Sequence, residues 1–135
     1  IPKDSFVMAY NISFEKSVIK KLANQFPVYS DHLMSLYDNF IDLQTPFKNR
    51  DYLTPAMKGK SGLKTILPIL VPEMEKAYKD LDMVHEGGEA MDIYKKLSQA
   101  EDLEMISRYR SALIEYCKLD TLAMVKILEK LKNIN

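Results

Sequence analysis

Residues 5–26 read SFVMAYNISFEKSVIKKLANQF, and the change of pattern inside that stretch decides how the rest of the chain is read. Phe6, Val7, Met8 and Ala9 form a short apolar run without helical spacing, as expected of a buried strand. The run breaks at Tyr10-Asn11. From there Phe14, Val18, Ile19, Leu22, Ala23 and Phe26 fall on one helical face, so an amphipathic helix follows the strand. Asn11 and Ser13 are positioned to satisfy free backbone donors at the helix start, and Glu15 sits in the first turn, where the helix dipole favours a carboxylate. Taken alone, these features describe an ordinary strand, turn and capped helix.

Working outward, Pro27 ends this helix and Ser30 is expected to cap a second, with Leu33, Leu36 and Tyr37 toward the core. His32 lies in it without a second ligand at metal spacing, so it reads as a surface side chain. Phe40 to Leu43 reads as a short second strand carrying Asp42. Residues 44–60, QTPFKNRDYLTPAMKGK, have no sustained period and read as a long loop. Lys48, Arg50, Lys58, Lys60 and Lys64 make it locally basic, interleaved with Phe47 and Tyr52. Cations for phosphates and aromatics for base stacking are the combination a single-strand groove uses, against the plain alternative of a solvated loop.

Leu63, Ile66, Leu67 and Leu70 have helical spacing, limited by Pro68 and Pro72. Gly59-Lys60-Ser61 resembles the end of a phosphate-binding loop, but position 54 is Thr where that motif needs Gly. His85-Glu86-Gly87-Gly88-Glu89 is not the His-Glu-x-x-His zinc motif, because position 89 is Glu. Gly87 and Gly88 are expected to open a helix with Ala90, Ile93, Tyr94 and Leu97 inward. Two helices, 101–117 and 118–131, are expected to complete the chain, with Tyr116 and Asp120 one turn apart on one face. Asp102 and Glu104 would diverge on a helix and read as favourable first-turn acids.

At 135 residues the chain is expected to form one domain, with 47% hydrophobic residues to supply a core. Its 19 basic and 19 acidic side chains cancel, so any nucleic-acid binding must come from a local patch or from metal ions. The single cysteine, Cys117, excludes an internal disulfide and favours a reducing, cytoplasmic location. No apolar run approaches a membrane span and no signal peptide is evident, so no membrane partner is expected.

Asn11, Phe14 and Glu15 resemble the Asn-x-x-x-Phe-Asp second motif of the DEDD exonucleases, the DnaQ-like group of the ribonuclease H-like superfamily, with Glu in place of Asp. Tyr116 to Asp120 resembles the Tyr-x-x-x-Asp third motif of the tyrosine branch of that group. The Ser-x-Leu-Lys stretch ending at Lys64 and the Gly-x-x-Ala stretch at Gly87 match in the same order. The resemblance implies a 3'-5' exonuclease using Mg2+ or Mn2+ on a single-stranded nucleic-acid end. It makes Glu15 and Asp120 metal ligands and gives Tyr116 the attacking water. Asn11 would hold the turn or contact the substrate backbone, Asp42 would support the site, and Lys64 would face the substrate.

The Asp-x-Glu first motif of that group, which belongs on the first strand of a five-stranded mixed sheet, is missing here. The expectation is therefore a mainly α chain with two short strands, the C-terminal half of an α/β ribonuclease H-like fold and a piece of a longer nuclease-like protein. As a whole the chain resembles a bacterial domain of unknown function that follows RecB-like nuclease segments. With two of four acids it should bind metal weakly and cleave nothing alone. The rival reading is a non-catalytic nucleic-acid-binding or protein-interaction module with a decayed exonuclease fold. A third reading, a purely helical interaction domain, treats Tyr116 and Asp120 as ordinary residues of a helix face. A strand left without neighbours would also expose an edge through which two copies could pair.

Overall fold

A computed structural model describes residues 1–134 and shows a mainly helical chain with two short strands. It divides into two compact units, residues 1–63 and 64–135. In the first, β1 (Val7–Ala9) leads into α1 (Ser13–Gln25), a 3₁₀ turn (Pro27–Tyr29), α2 (Ser30–Asp38), β2 (Phe40–Asp42), the single-turn α3 (Thr45–Lys48) and a 3₁₀ turn at Pro55–Met57. β1 and β2 pair in parallel, with Val7 opposite Phe40, Met8 opposite Ile41 and Ala9 opposite Asp42. Parallel neighbours need a crossover connection. Here α1 and α2 supply it, packed against each other.

The first unit departs from the sequence pattern in three ways. The strand begins only at Val7, so Phe6 stays 75% exposed and only Ala9 of the apolar run is fully buried. The apolar stripe of α1 is wider than its cover: Ala23 is buried and Ile19 and Leu22 are half-buried, whereas Phe14 is 68% exposed and Val18 and Phe26 are exposed too. The predicted caps are not made. The residues preceding α1 and α2 are Ile12 and Tyr29, with no side-chain cap on either helix.

Residues 44–60 are not a structureless loop. Phe47, on α3, and Met57, in the 3₁₀ turn, are 2% and 1% exposed and anchor the segment to the core. Tyr10 stacks on the Phe47 ring at 6.4 Å between centroids, and Tyr52 meets it edge-on at 5.7 Å. Phe47 is therefore core and unavailable to stack on a base.

The second unit is built of helices joined by turns: α4 (Leu63–Leu70, whose first residue closes the first unit), a 3₁₀ turn (Pro72–Met74), a run of turns and bends over 75–86, α5 (Gly87–Gln99) and α6 (Leu103–Lys132). Pro68 lies inside α4 rather than ending it, with the neighbouring Ile66 and Leu67 fully buried. The two expected C-terminal helices are one 30-residue helix, because no Gly or Pro interrupts the ladder after Glu101. Asp102 caps it, its Oδ1 accepting the Glu104 N–H at 3.0 Å. α5 packs on α6 and buries Ile93, but Tyr94, expected to point inward, is 66% exposed. Among the described residues no helix is long and apolar enough to cross a membrane.

Candidate functional site

The sequence-predicted residues fall into two groups, Asn11, Phe14, Glu15 and Asp42 in the first unit and Lys64, Tyr116 and Asp120 in the second. Each group has its own geometry.

In the first unit the turn between β1 and α1 is built around Asn11, whose φ of 61° lies in the left-handed region that Asn tolerates better than most residues. Its backbone N–H donates to Asp42 Oδ1 at 2.8 Å, and the same oxygen accepts the Gln44 N–H at 2.9 Å. Asp42, at the end of the paired strand, thus ties two chain segments together. Asn11 Oδ1 accepts from Ser13 Oγ at 3.1 Å, so its side chain braces the turn instead of capping the helix. The Tyr10 hydroxyl donates to the Ser61 carbonyl at 2.6 Å, and Gln44 Nε2 donates to that carbonyl at 3.1 Å. Burial, and then the charge of Asp42, push the Tyr10 phenol well above its ordinary pKa.

Glu15 follows in the first turn of α1, and its Oε2 is buried with no hydrogen-bond partner. A buried carboxylate oxygen without a donor is costly unless a cation or a water answers it. Phe14, the motif residue beside it, is exposed.

In the second unit Tyr116 and Asp120 lie one turn apart on α6, as their spacing requires, and a residue that sequence reasoning passed over joins them. Tyr78, itself buried, donates its hydroxyl to Asp120 Oδ1 at 2.6 Å. Its ring lies 6.2 Å from that of Tyr116. The Lys64 ammonium sits 4.8 Å from the Tyr78 ring centroid and 5.6 Å from that of Tyr116, and also donates to the His85 carbonyl. A cation over two aromatic faces is held by their quadrupoles. Both phenols are pushed well above their ordinary pKa, by burial first and then by Asp120. The only sequence signal for Tyr78 is its aromatic side chain.

At the N-terminus of α5, a Cβ on Gly87 would come to 3.9 Å from the Tyr116 hydroxyl, an ordinary contact, so the start of α5 lies beside Tyr116. Lys64, Tyr78, Tyr116 and Asp120 therefore form one constellation. The donors here are hard oxygen groups of the kind Mg2+ and Mn2+ take. Among the described residues, however, no group of three or more His, Cys, Asp or Glu side chains converges as a metal site.

A family model described as a domain of unknown function, DUF2779, matches residues 1–62, which is the first compact unit less its final residue. No curated protein and no solved structure gives a match.

Proposed function

We propose that this chain carries the second and third motifs of a metal-dependent 3'-5' exonuclease-like domain of the DEDD tyrosine branch, acting on single-stranded nucleic acid, and that alone it is inactive. The observation that carries the reading is the Tyr116–Asp120 pair with Tyr78 donating to the acid and Lys64 over both rings. The unpartnered Glu15 Oε2 adds to it as an oxygen that a cation would satisfy. By the resemblance, Glu15 in the first unit and Asp120 in the second are each a candidate ligand. Divalent ions held by such carboxylates would supply water activation and charge stabilisation for phosphodiester hydrolysis.

The protein's own groups have distinct tasks. The Tyr78 hydrogen bond fixes the Asp120 carboxylate in one orientation. Tyr116, with its pKa raised, stays a neutral phenol at physiological pH, so its task is to orient water by hydrogen bonding rather than to act as a base. Lys64 adds positive charge over the two rings, suited to a substrate phosphate. The only Asp-x-Glu of the chain, Asp102 to Glu104, is occupied in starting α6 and supplies no further ligand pair.

A second reading, a non-catalytic nucleic-acid-binding or protein-interaction module with a decayed exonuclease site, is favoured by the absence of three convergent ligands among the described residues. Manganese binding, followed by electron paramagnetic resonance, separates the two. The exonuclease reading expects weak binding that Glu15→Gln and Asp120→Asn each reduce, with no nucleotide released from a labelled single strand. Binding indifferent to both substitutions would overturn it in favour of the module, and metal-dependent digestion by the chain alone would overturn its inactivity.

A further inference from the structure

A cleft of about 530 Å³ in the first unit is lined by Lys16, Lys20 and Lys48 together with Tyr37 and Asp42. We propose that it binds a phosphate group. Its volume is in the range of small-ligand sites. Lys16 and Lys20 lie one turn apart on α1, an arrangement of like charges that is unfavourable unless an anion answers it. Lys48, at the end of α3, adds a third ammonium. The one carboxylate in the lining, Asp42, spends its Oδ1 on two backbone N–H groups and bonds to none of the lysines.

None of the three lysines makes an ion pair, and among the described residues no basic side chain of the first unit does. The Lys16 ammonium is instead held 4.5 Å from the Tyr37 ring centroid, which keeps it at the cleft while leaving its donors free. Lysine meets phosphate as a point charge with rotatable donors, and three of them against one carboxylate suit a multiply charged oxyanion better than a single carboxylate.

The cationic lining continues. A smaller cleft of about 210 Å³ shares Lys48 and reaches Arg50, and a third, of about 340 Å³, shares Arg50 and reaches Lys58. Phosphates could therefore come from a strand lying along these clefts or from a free phosphate in the first one. This inference does not rest on the exonuclease reading. All its groups lie in the first unit, and it needs no metal.

The test is metal-free, with chelator present. Fluorescence anisotropy of a labelled short oligothymidylate is measured at several salt concentrations, with inorganic phosphate as competitor, for the wild type, K20Q/K48Q and the control K95Q/K96Q on exposed positions of α5. K20Q/K48Q should weaken strand binding roughly tenfold and make the salt slope shallower by about 0.7 per lysine, and the control should leave both unchanged. Displacement by inorganic phosphate at low concentration identifies a single-phosphate site, whereas resistance to it identifies the strand. For a single-phosphate site without strand affinity, calorimetric titration with phosphate must show the same loss in K20Q/K48Q. No binding of either probe, or equal losses in the two double variants, overturns the proposal. Far-UV circular dichroism checks that these exposed substitutions leave the fold intact.

Discussion

The two units handle charge and backbone in opposite ways. Residues 1–63 carry eight basic and six acidic side chains, a net of +2, while residues 64–135 carry eleven and thirteen, a net of −2, so the neutral total conceals a division. Among the described residues the three Lys/Arg–carboxylate pairs, Arg108–Asp82, Lys118–Glu115 and Lys126–Glu129, and the His85–Glu89 contact all lie in the second unit. Among the described residues, all four non-glycine residues with positive φ, Asp4, Asn11, Arg50 and Lys58, lie in the first. The second unit is a helical scaffold that answers many of its charges internally and concentrates its chemistry in one aromatic-acid cluster. The first bends its backbone into turns of limited stability and leaves its cations unanswered. Such turns persist only where surrounding contacts hold them, and unanswered cations are available to a ligand.

The largest expected effect tests whether each unit has its own core. Phe47→Ala removes the ring on which Tyr10 and Tyr52 pack and should cost about 3–5 kcal/mol, and Ile127→Ala, at a fully buried site in α6, about 2–5 kcal/mol. Amide hydrogen exchange should show protection falling mainly within residues 1–63 for the first and within 64–134 for the second. Equal loss along the whole chain in both variants would dissolve the division.

A smaller effect is expected where one carboxylate oxygen organises its surroundings. Asp42→Ala leaves the Asn11 and Gln44 N–H groups without their acceptor and should cost about 1–3 kcal/mol, with Asn11 released from its left-handed turn. Tyr78→Phe removes one donor to Asp120 and should cost about 1–2 kcal/mol. Urea midpoints measure both. A Tyr78→Phe loss exceeding that of Asp42→Ala would reverse the ranking of the two sites.

How far these features could be read from the sequence depended on their range. The change of period at Tyr10-Asn11, the two short strands and the Tyr116–Asp120 spacing are local patterns, and a strand, a turn and a helix face follow from them directly. Exposure was less legible. An apolar residue such as Phe14 or Tyr94 marks a face, but only a packing partner buries it, and that partner lies elsewhere in the chain. The anchoring of residues 44–60 by Phe47 and Met57 was hidden for the same reason. Tyr78 was missed because its partner, Asp120, is 42 residues away and no periodicity links them. The lysine cleft draws on two helices, α1 and α3, and appears only when both are folded.

Alkaline titration asks whether the buried phenols of the two units behave alike. Tyr10, Tyr78 and Tyr116 all have pKa values raised above the ordinary value of 10.0, chiefly by burial. The neutral form is favoured in the folded state. Their contribution to stability is therefore complete below the ordinary tyrosine range and is lost as pH rises above it, where the unfolded chain ionises first. Absorbance of tyrosinate should show these three ionising late, together with the loss of helical signal. Early ionisation of Tyr10 alone would mark the first unit as the more open one.

The smallest effect is expected at acidic pH, at the start of α5. Glu89 Oε2 accepts from the His85 backbone N–H at 2.7 Å and lies 3.0 Å from its Nδ1, and these two bonds, the backbone one first, hold the carboxyl below its ordinary value of 4.5. A depressed folded pKa means that the tie contributes above the ordinary carboxylate pKa and is lost as pH falls through the lowered one. Carboxyl chemical shifts of Glu89 should show that lowered midpoint, with His85 amide protection lost in step. His85→Ala removes the ring but keeps the backbone N–H, the larger contributor, so Glu89 should return only part of the way. A full return would assign the effect to the imidazole. A wild-type midpoint at the ordinary value would mean that this tie is not formed, and would weaken the contrast between a unit that answers its charges and one that does not.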